Sequence, residues 1–223
     1  MNEDFLRKRI TETKTEIFPL DRLLPLESVY LIFSKEYNSV TDKNLFFRDR
    51  KYQRLREAYF SMFVAVSLQD TSIGKEQHYL VFPSNPDNDV YITKKVSDEK
   101  IPKHIAYEFD IKEYTDWSPS FDEFMEKSII PKIEIYNIAI PTYRKIDGSD
   151  IESLINFLKS KNLINKIWFL GLPDKENYNY DISALTIIDK DGIVYKKTLN
   201  LKDWIQTDTT PMIFQDVIRF KDL

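Results

Sequence analysis

Apolar and charged residues alternate from Tyr107 to Lys112, and this alternation constrains the fold more than any other feature of the chain. Successive side chains on an extended strand point to opposite faces, so the alternation predicts a strand with one face in a core. The apolar face carries three residues: Tyr107, Phe109 and Ile111. The opposite face carries three charged residues: Glu108, Asp110 and Lys112. A chain with such a strand is expected to form a sheet with at least one covered face.

The charged face of this strand has the residue types of a divalent-metal site. Magnesium prefers oxygen ligands from a few carboxylates, and a lysine beside them can hold a water or a phosphate oxygen. A further acid lies upstream, in the segment Pro86-Asp87-Asn88-Asp89 before the apolar run Val90–Ile92. Asp87 and Asp89 have the same parity, so either can face the same side. We favour Asp89 because it directly precedes the strand, whereas Asp87 equally suits a turn. The combination points to phosphodiester chemistry.

The composition indicates a single α/β domain. With 223 residues, of which 42% are hydrophobic, the chain can bury a sizeable core. We expect an N-terminal extension over residues 1–41 and one α/β domain over residues 42–223 that ends in a hairpin. The hairpin signal is Asp191-Gly192, because Asp-Gly supports the positive φ values of tight turns.

Residue types that are rare or missing exclude several kinds of chemistry. The chain has no Cys, which excludes disulfides, thiolate nucleophiles and zinc-cysteine sites. Its 4 Gly form no glycine-rich phosphate loop, and its two histidines, His78 and His104, lack ligand spacing. The net charge of −4 gives no general attraction to nucleic acid, although a basic patch can be local. The polar start, with no apolar run of about 18 residues, leads us to expect a cytoplasmic protein without a membrane partner.

The segment from Asp42 to Gln69 predicts the longest helix, because apolar residues recur at three- and four-residue steps without Gly or Pro. Its first half contains a run of basic residues: Arg48, Arg50, Lys51, Arg54 and Arg56. Such a run is usually the solvated side of a helix, but it is also the densest source of charge for phosphate contacts. The apolar run from Ser28 to Phe33 fits a strand or a buried helical turn, and periodicity does not decide between them.

The predicted order of elements is a helix, three strands, a helix, a strand, a helix, a strand and the final hairpin. With this order, residues 42–145 resemble the PD-(D/E)xK nuclease superfamily. That superfamily has a mixed sheet flanked by helices, an acid near the start of the second core strand and an acid-x-lysine on the third. The resemblance is carried by Asp89, or Asp87 after Pro86, and by Asp110-Ile111-Lys112.

The resemblance implies a restriction-endonuclease-like enzyme that hydrolyses DNA with Mg²⁺ or Mn²⁺ and serves restriction, phage defence or a mobile element. It assigns catalytic roles to these positions: Asp89 or Asp87, Asp110, Lys112 and, on the preceding helix, Glu57. It assigns metal ligation to these: Asp89 or Asp87, Asp110, the carbonyl of Ile111 and, as secondary ligands, Glu108 and Glu57. Enzymes of this kind commonly cut two strands as dimers, so a homodimer is also implied.

A second interpretation makes the chain a non-catalytic acidic α/β binding protein, such as an immunity or accessory protein. The same acids would then line the open face of a sheet, form cross-strand ion pairs and present a patch to a basic partner. Metal dependence separates the two interpretations, because a binding protein of this kind should gain no thermal stability from Mg²⁺ or Mn²⁺.

Overall fold

The computed structural model describes residues 14–16, 24–70, 78–81, 89–95, 104–171 and 180–207, and the structural statements below refer to these ranges. The described residues form a mixed nine-stranded sheet with helices on both faces, which confirms the predicted α/β class. The strands are β1 (Lys14–Glu16), β2 (Leu24–Pro25), β3 (His78–Val81), β4 (Val90–Lys95), β5 (His104–Ile111), β6 (Asn137–Thr142), β7 (Ile167–Gly171), β8 (Ile182–Asp189) and β9 (Gly192–Asn200).

Seven α-helices accompany this sheet in the described ranges. They are α1 (Leu26–Ser39), α2 (Lys43–Arg48), α3 (Gln53–Asp70), α4 (Phe121–Phe124), α5 (Ile130–Ile133), α6 (Gly148–Ser160) and α7 (Leu201–Thr207). A 3₁₀ turn over Arg50–Tyr52 joins α2 to α3, and a π-helical turn over Met125–Ile129 joins α4 to α5.

The strands lie in the order β2-β3-β4-β5-β6-β7-β8-β9, and β1 pairs with the first residues of β5. Neighbours from β2 to β5 are antiparallel, β5-β6 and β6-β7 are parallel, and β7 to β9 are again antiparallel. A parallel pair needs a crossover connection, which α4 and α5 supply before β6 and α6 supplies before β7. The site considered below lies where β4 begins and β5 ends.

The predicted helix from Asp42 to Gln69 is interrupted at Asp49. This residue is extended, with φ −74° and ψ 127°, and its side chain accepts a hydrogen bond of 2.9 Å from the Lys51 backbone N–H. Aspartate offers the backbone a partner outside the helix, so it ends α2 and starts a new turn without any Gly or Pro. The undecided run from Ser28 to Phe33 lies inside α1.

Two apolar clusters cover the two faces of the sheet. One lies under α1 and α3 and includes Phe33, Phe109 and Trp168; the other lies under α4 to α6 and includes Ile138 and Phe169. Helix α3 is buried on all sides from residue 55 to residue 68. Because α1 shares the first cluster, this helix of the predicted extension 1–41 belongs to the core, while residues 1–13 and 17–23 lie outside the described ranges.

The predicted hairpin forms, but it is not the last element, because α7 follows β9. β8 and β9 pair in antiparallel fashion, Asp189 lies opposite Gly192, and Gly192 has a φ of +124° that L side chains rarely adopt. Among the described helices, none is both long and apolar enough to cross a membrane.

Candidate active site

The antiparallel pairing of β4 and β5 brings Asp89 beside the end of β5. Val90 lies opposite Phe109, and the Asp89 backbone N–H donates to the Phe109 carbonyl at 3.2 Å. The Asp89 carboxylate then accepts a 2.7 Å hydrogen bond from the Ile111 backbone N–H. The side chain thereby adds one hydrogen bond to the ladder between β4 and β5, which fixes the carboxylate at the end of β5.

Asp110 is the most deeply buried acid of this site, with a relative exposure of 2%. Its Oδ1 accepts a 2.7 Å hydrogen bond from Lys112 Nζ, and its Oδ2 has no hydrogen-bond donor within the described residues. Burial, together with the nearby Asp89 carboxyl, raises the pKa of Asp110 to about 7, although Lys112 opposes the shift. Two carboxyl groups in such proximity require a shared proton or a cation between them.

Lys112 supplies positive charge to both acids. Its Nζ lies 2.7 Å from Asp110 Oδ1 and 3.8 Å from Asp89 Oδ2. The Lys112 backbone N–H donates to the Ala139 carbonyl at 2.9 Å, so β6 holds the residue in place directly after β5. The structure therefore brings together Asp89, Asp110 and Lys112, as the alternation and the strand pairing predict.

Glu57 approaches the same place from the buried helix α3. It is 4% exposed, and it accepts hydrogen bonds from Gln53 Nε2 at 2.8 Å and from an Arg54 guanidinium nitrogen at 3.1 Å. The same nitrogen of Arg54 donates to the Asp89 carbonyl at 3.2 Å. Burial raises the pKa of Glu57, and the charge of Asp89 raises it further. Gln53 was not predicted as a site residue, and Arg54 was predicted only as part of the basic run for phosphate contacts. The spacing of Arg54 and Glu57 is nevertheless typical of helical ion pairs.

Three further predicted metal ligands remain to be placed relative to Asp89 and Asp110. Glu108 lies on β5 opposite Tyr91, two residues before Asp110 and thus roughly 7 Å back along the strand. The carbonyl of Ile111 lies on the same strand edge as its N–H, and therefore on the side of Asp89. Asp87 lies outside the described residues.

The donor set suits a magnesium-type cation. Mg²⁺ is commonly held by one or two carboxylates and keeps several waters, and Asp89 and Asp110 provide two carboxylates, one with an unpartnered oxygen. No three Asp, Glu or His side chains gather as a ready ligand group in the described ranges. Water and substrate oxygens would therefore have to complete the coordination of any ion bound here.

The predicted basic run divides into two groups. Arg48, Arg50 and Lys51 are exposed, whereas Arg56 is 6% exposed and lies inside the fold. The Arg56 guanidinium binds the Glu113 carboxylate at 3.0 and 3.3 Å, and the Phe46 and Asp49 carbonyls at 2.9 and 3.0 Å.

These contacts remove Arg56 from the predicted phosphate-binding surface, because its guanidinium is already committed within the protein. Arg54 keeps a side chain that is 42% exposed while it binds Glu57. Periodicity alone does not reveal this division, since it depends on the turn at Asp49 and on a glutamate from a distant strand end.

Comparison of the chain with models of protein families and with curated proteins found no significant match.

Proposed function

We propose that this chain is a divalent-metal-dependent nuclease that hydrolyses phosphodiester bonds in DNA. The observation that carries the proposal is the Asp110 carboxyl. It is buried at a strand end, has an oxygen without a donor in the described residues, and lies against Asp89. A buried carboxylate oxygen without a donor costs free energy, and a bound cation would offset that cost.

The connectivity supports a restriction-endonuclease-like core. Helix α3 is followed by the antiparallel strands β3, β4 and β5, and a helical crossover leads to the parallel strand β6. The acid Asp89 precedes the second of these strands, the acid-x-lysine ends the third, and Glu57 lies on the preceding helix. This is the order that the resemblance to the PD-(D/E)xK superfamily implies.

Three groups of the chain would hold Mg²⁺ or Mn²⁺: the carboxylates of Asp89 and Asp110 and the carbonyl of Ile111. The ion would lower the pKa of the attacking water and offset charge on the phosphoryl group. The chain itself fixes Asp89 through the Ile111 N–H and shields Asp110 from bulk water. Lys112, whose Nζ lies beside both acids, would then orient a water or bind a phosphate oxygen.

Glu57 has a supporting role in this proposal. Its two oxygens accept hydrogen bonds from Gln53 and Arg54, and Arg54 also binds the backbone of Asp89. Glu57 thereby orients the arginine that holds the start of β4.

Exposed Arg48, Arg50 and Lys51 would contact DNA phosphates. A homodimer with a role in restriction or defence would fit the same resemblance.

The alternative binding protein also has a specific observation in its favour. Lys112 already lies between Asp89 and Asp110, and Glu57 already has donors for both oxygens, so each acid of this ionic network has at least one donor. Such a network needs no metal. Heating the protein with and without Mg²⁺ or Mn²⁺ distinguishes the two, because binding to the folded state raises the unfolding temperature.

The direct test of activity is incubation of the purified protein with plasmid, phage and single-stranded DNA in Mg²⁺, Mn²⁺ or EDTA. The proposal predicts cleavage of at least one substrate with either metal and none with EDTA. Failure to cleave any of these substrates, together with no thermal stabilisation by either metal, would favour the binding protein.

A further inference from the structure

Trp117 is an exposed tryptophan close in sequence to the candidate active site. Its relative exposure is 56%, in contrast to 1% for Trp168 in the core. A large aromatic side chain is normally buried for most of its area, and exposed aromatic residues are enriched where proteins bind partners. A tryptophan near the end of a secondary-structure element usually covers the core, but the exposure of Trp117 argues against that role.

The turn that carries Trp117 is fixed by several hydrogen bonds. The Ser118 N–H donates to the Thr115 carbonyl at 3.0 Å, and the Thr115 N–H donates to the Ser118 hydroxyl at 2.9 Å. An Arg144 guanidinium nitrogen donates to the Ser118 and Pro119 carbonyls at 3.1 and 3.2 Å. The exposed ring is thus presented by an ordered turn, so binding would require little further ordering of the backbone.

One face of the ring is covered by a cation from the basic segment. The Arg48 guanidinium carbon lies 5.2 Å from the centroid of the Trp117 ring, which is a cation–π distance. Leu45, three residues earlier on α2, is 47% exposed and lies on the same helix face. Residues 42–54 contain five Lys or Arg and two Asp, so this surface is basic in a chain whose net charge is −4.

Trp117 lies close enough to the acids for one bound DNA strand to contact both. Trp117 follows Lys112 by five residues, so the two Cα atoms are at most about 18 Å apart. A nucleic acid strand rises 3.4 Å per nucleotide in a duplex, so this span corresponds to roughly five nucleotides or fewer.

We propose that Trp117 and Arg48 form a stacking platform for an unpaired base of a DNA strand that occupies the acidic site. The base would stack on the exposed part of the indole, while Arg48 supports the ring and neutralises an adjacent phosphate. Inside a duplex the base faces are already stacked on one another, so such a platform selects single-stranded, flapped or splayed DNA. This inference rests on the proposed nuclease function and specifies its substrate class.

The test is binding of fluorescein-labelled DNA, either a single-stranded 15-mer or a blunt duplex, by the full chain in EDTA. Trp117→Ala should weaken binding of the single strand by roughly 10- to 100-fold and leave the dependence of log K on log salt unchanged, because stacking is not ionic. Arg48→Gln should instead lower that slope by about 0.7 on the single strand. Ile193→Ala is the control, since Ile193 is 52% exposed on the edge strand β9.

Tryptophan emission gives an independent readout. Adding the 15-mer should quench the wild-type protein and should quench Trp117→Phe much less, although the phenyl ring retains part of the affinity. Equal single-strand affinity of Trp117→Ala and wild type, or a wild type that binds no single strand, would overturn the platform.

The outcomes for the platform and for the nuclease are separable. Cleavage by a Trp117→Ala variant with unchanged affinity would overturn the platform and leave the nuclease intact. Single-strand binding that depends on Trp117 in a protein that never cleaves DNA would support the platform and overturn the nuclease.

Discussion

Replacing Asp110 with asparagine should stabilise the protein at neutral and alkaline pH. Burial holds the pKa of this carboxyl near 7, whereas the unfolded chain releases the proton near its ordinary value of 3.8. Between these values the folded state binds more protons than the unfolded state, so the free energy of unfolding falls as the pH rises. The introduced amide would remain neutral throughout, and it can accept a hydrogen bond from Lys112 while it donates one to Asp89.

The magnitude follows from the size of this shift. About 3 pH units at roughly 1.4 kcal/mol each correspond to an upper limit of about 4 kcal/mol at pH 8. The difference between Asp110→Asn and wild type should be close to zero near pH 4, increase between pH 4 and pH 7, and level off above pH 7. Wild-type stability is lost in this window because the buried carboxyl must ionise.

Urea unfolding in EDTA, followed by tryptophan fluorescence at pH 4, 6 and 8, measures the difference. Asp122→Asn is the control, because this aspartate is exposed and its replacement should change stability by no more than about 0.5 kcal/mol. The electrostatic argument is refuted if the Asp110→Asn variant is no more stable than the wild type at pH 8. It is also refuted if the difference in free energy of unfolding does not change with pH.

Three further predictions follow from the same contacts. Mg²⁺ or Mn²⁺ at 100 times its Kd should stabilise the wild type by about 2.7 kcal/mol and Asp110→Asn by much less, as measured by calorimetry. Arg56→Ala should destabilise the fold by roughly 3 kcal/mol, because it leaves the largely buried Glu113 carboxylate without its cation. Adding Glu113→Gln should restore part of the loss in urea titrations. Replacing Arg48 and Arg50 with Gln should lower the salt slope of duplex DNA binding by roughly 0.9 for each lost phosphate contact and leave sequence preference unchanged, and an unchanged slope would exclude these contacts.

Local sequence patterns predict the strands that carry the site. The alternation around Asp110 fixes which residues share a face, and two adjacent antiparallel strands then bring the acid before one strand to the acid at the end of the other. The Asp-Gly hairpin is equally local, since it depends on the φ of Gly192. Roles in catalysis and metal binding stay predictions, because no side-chain pattern by itself reveals what is bound.

Tertiary contacts determine what the sequence leaves open. The run from Ser28 to Phe33 is helical because α1 packs against α3, a contact between segments that no local period contains. Arg56 and Arg48 belong to one basic run, yet one is buried with Glu113 and the other lies over Trp117. The two residues are the same type in the same run, so only the packed structure distinguishes the buried arginine from the exposed one.

Single-turnover cleavage by matched variants tests the central claim most directly. The measurement compares wild type, Asp110→Asn, Lys112→Ala and, as an exposed acid-to-amide control, Glu134→Gln, each shown to be folded by circular dichroism. The proposal predicts that the two site variants lose activity on the order of 100-fold or more in saturating Mn²⁺, while Glu134→Gln cleaves like the wild type. If both site variants cleave DNA as fast as the wild type, the assignment of Asp110 and Lys112 as the catalytic residues is contradicted.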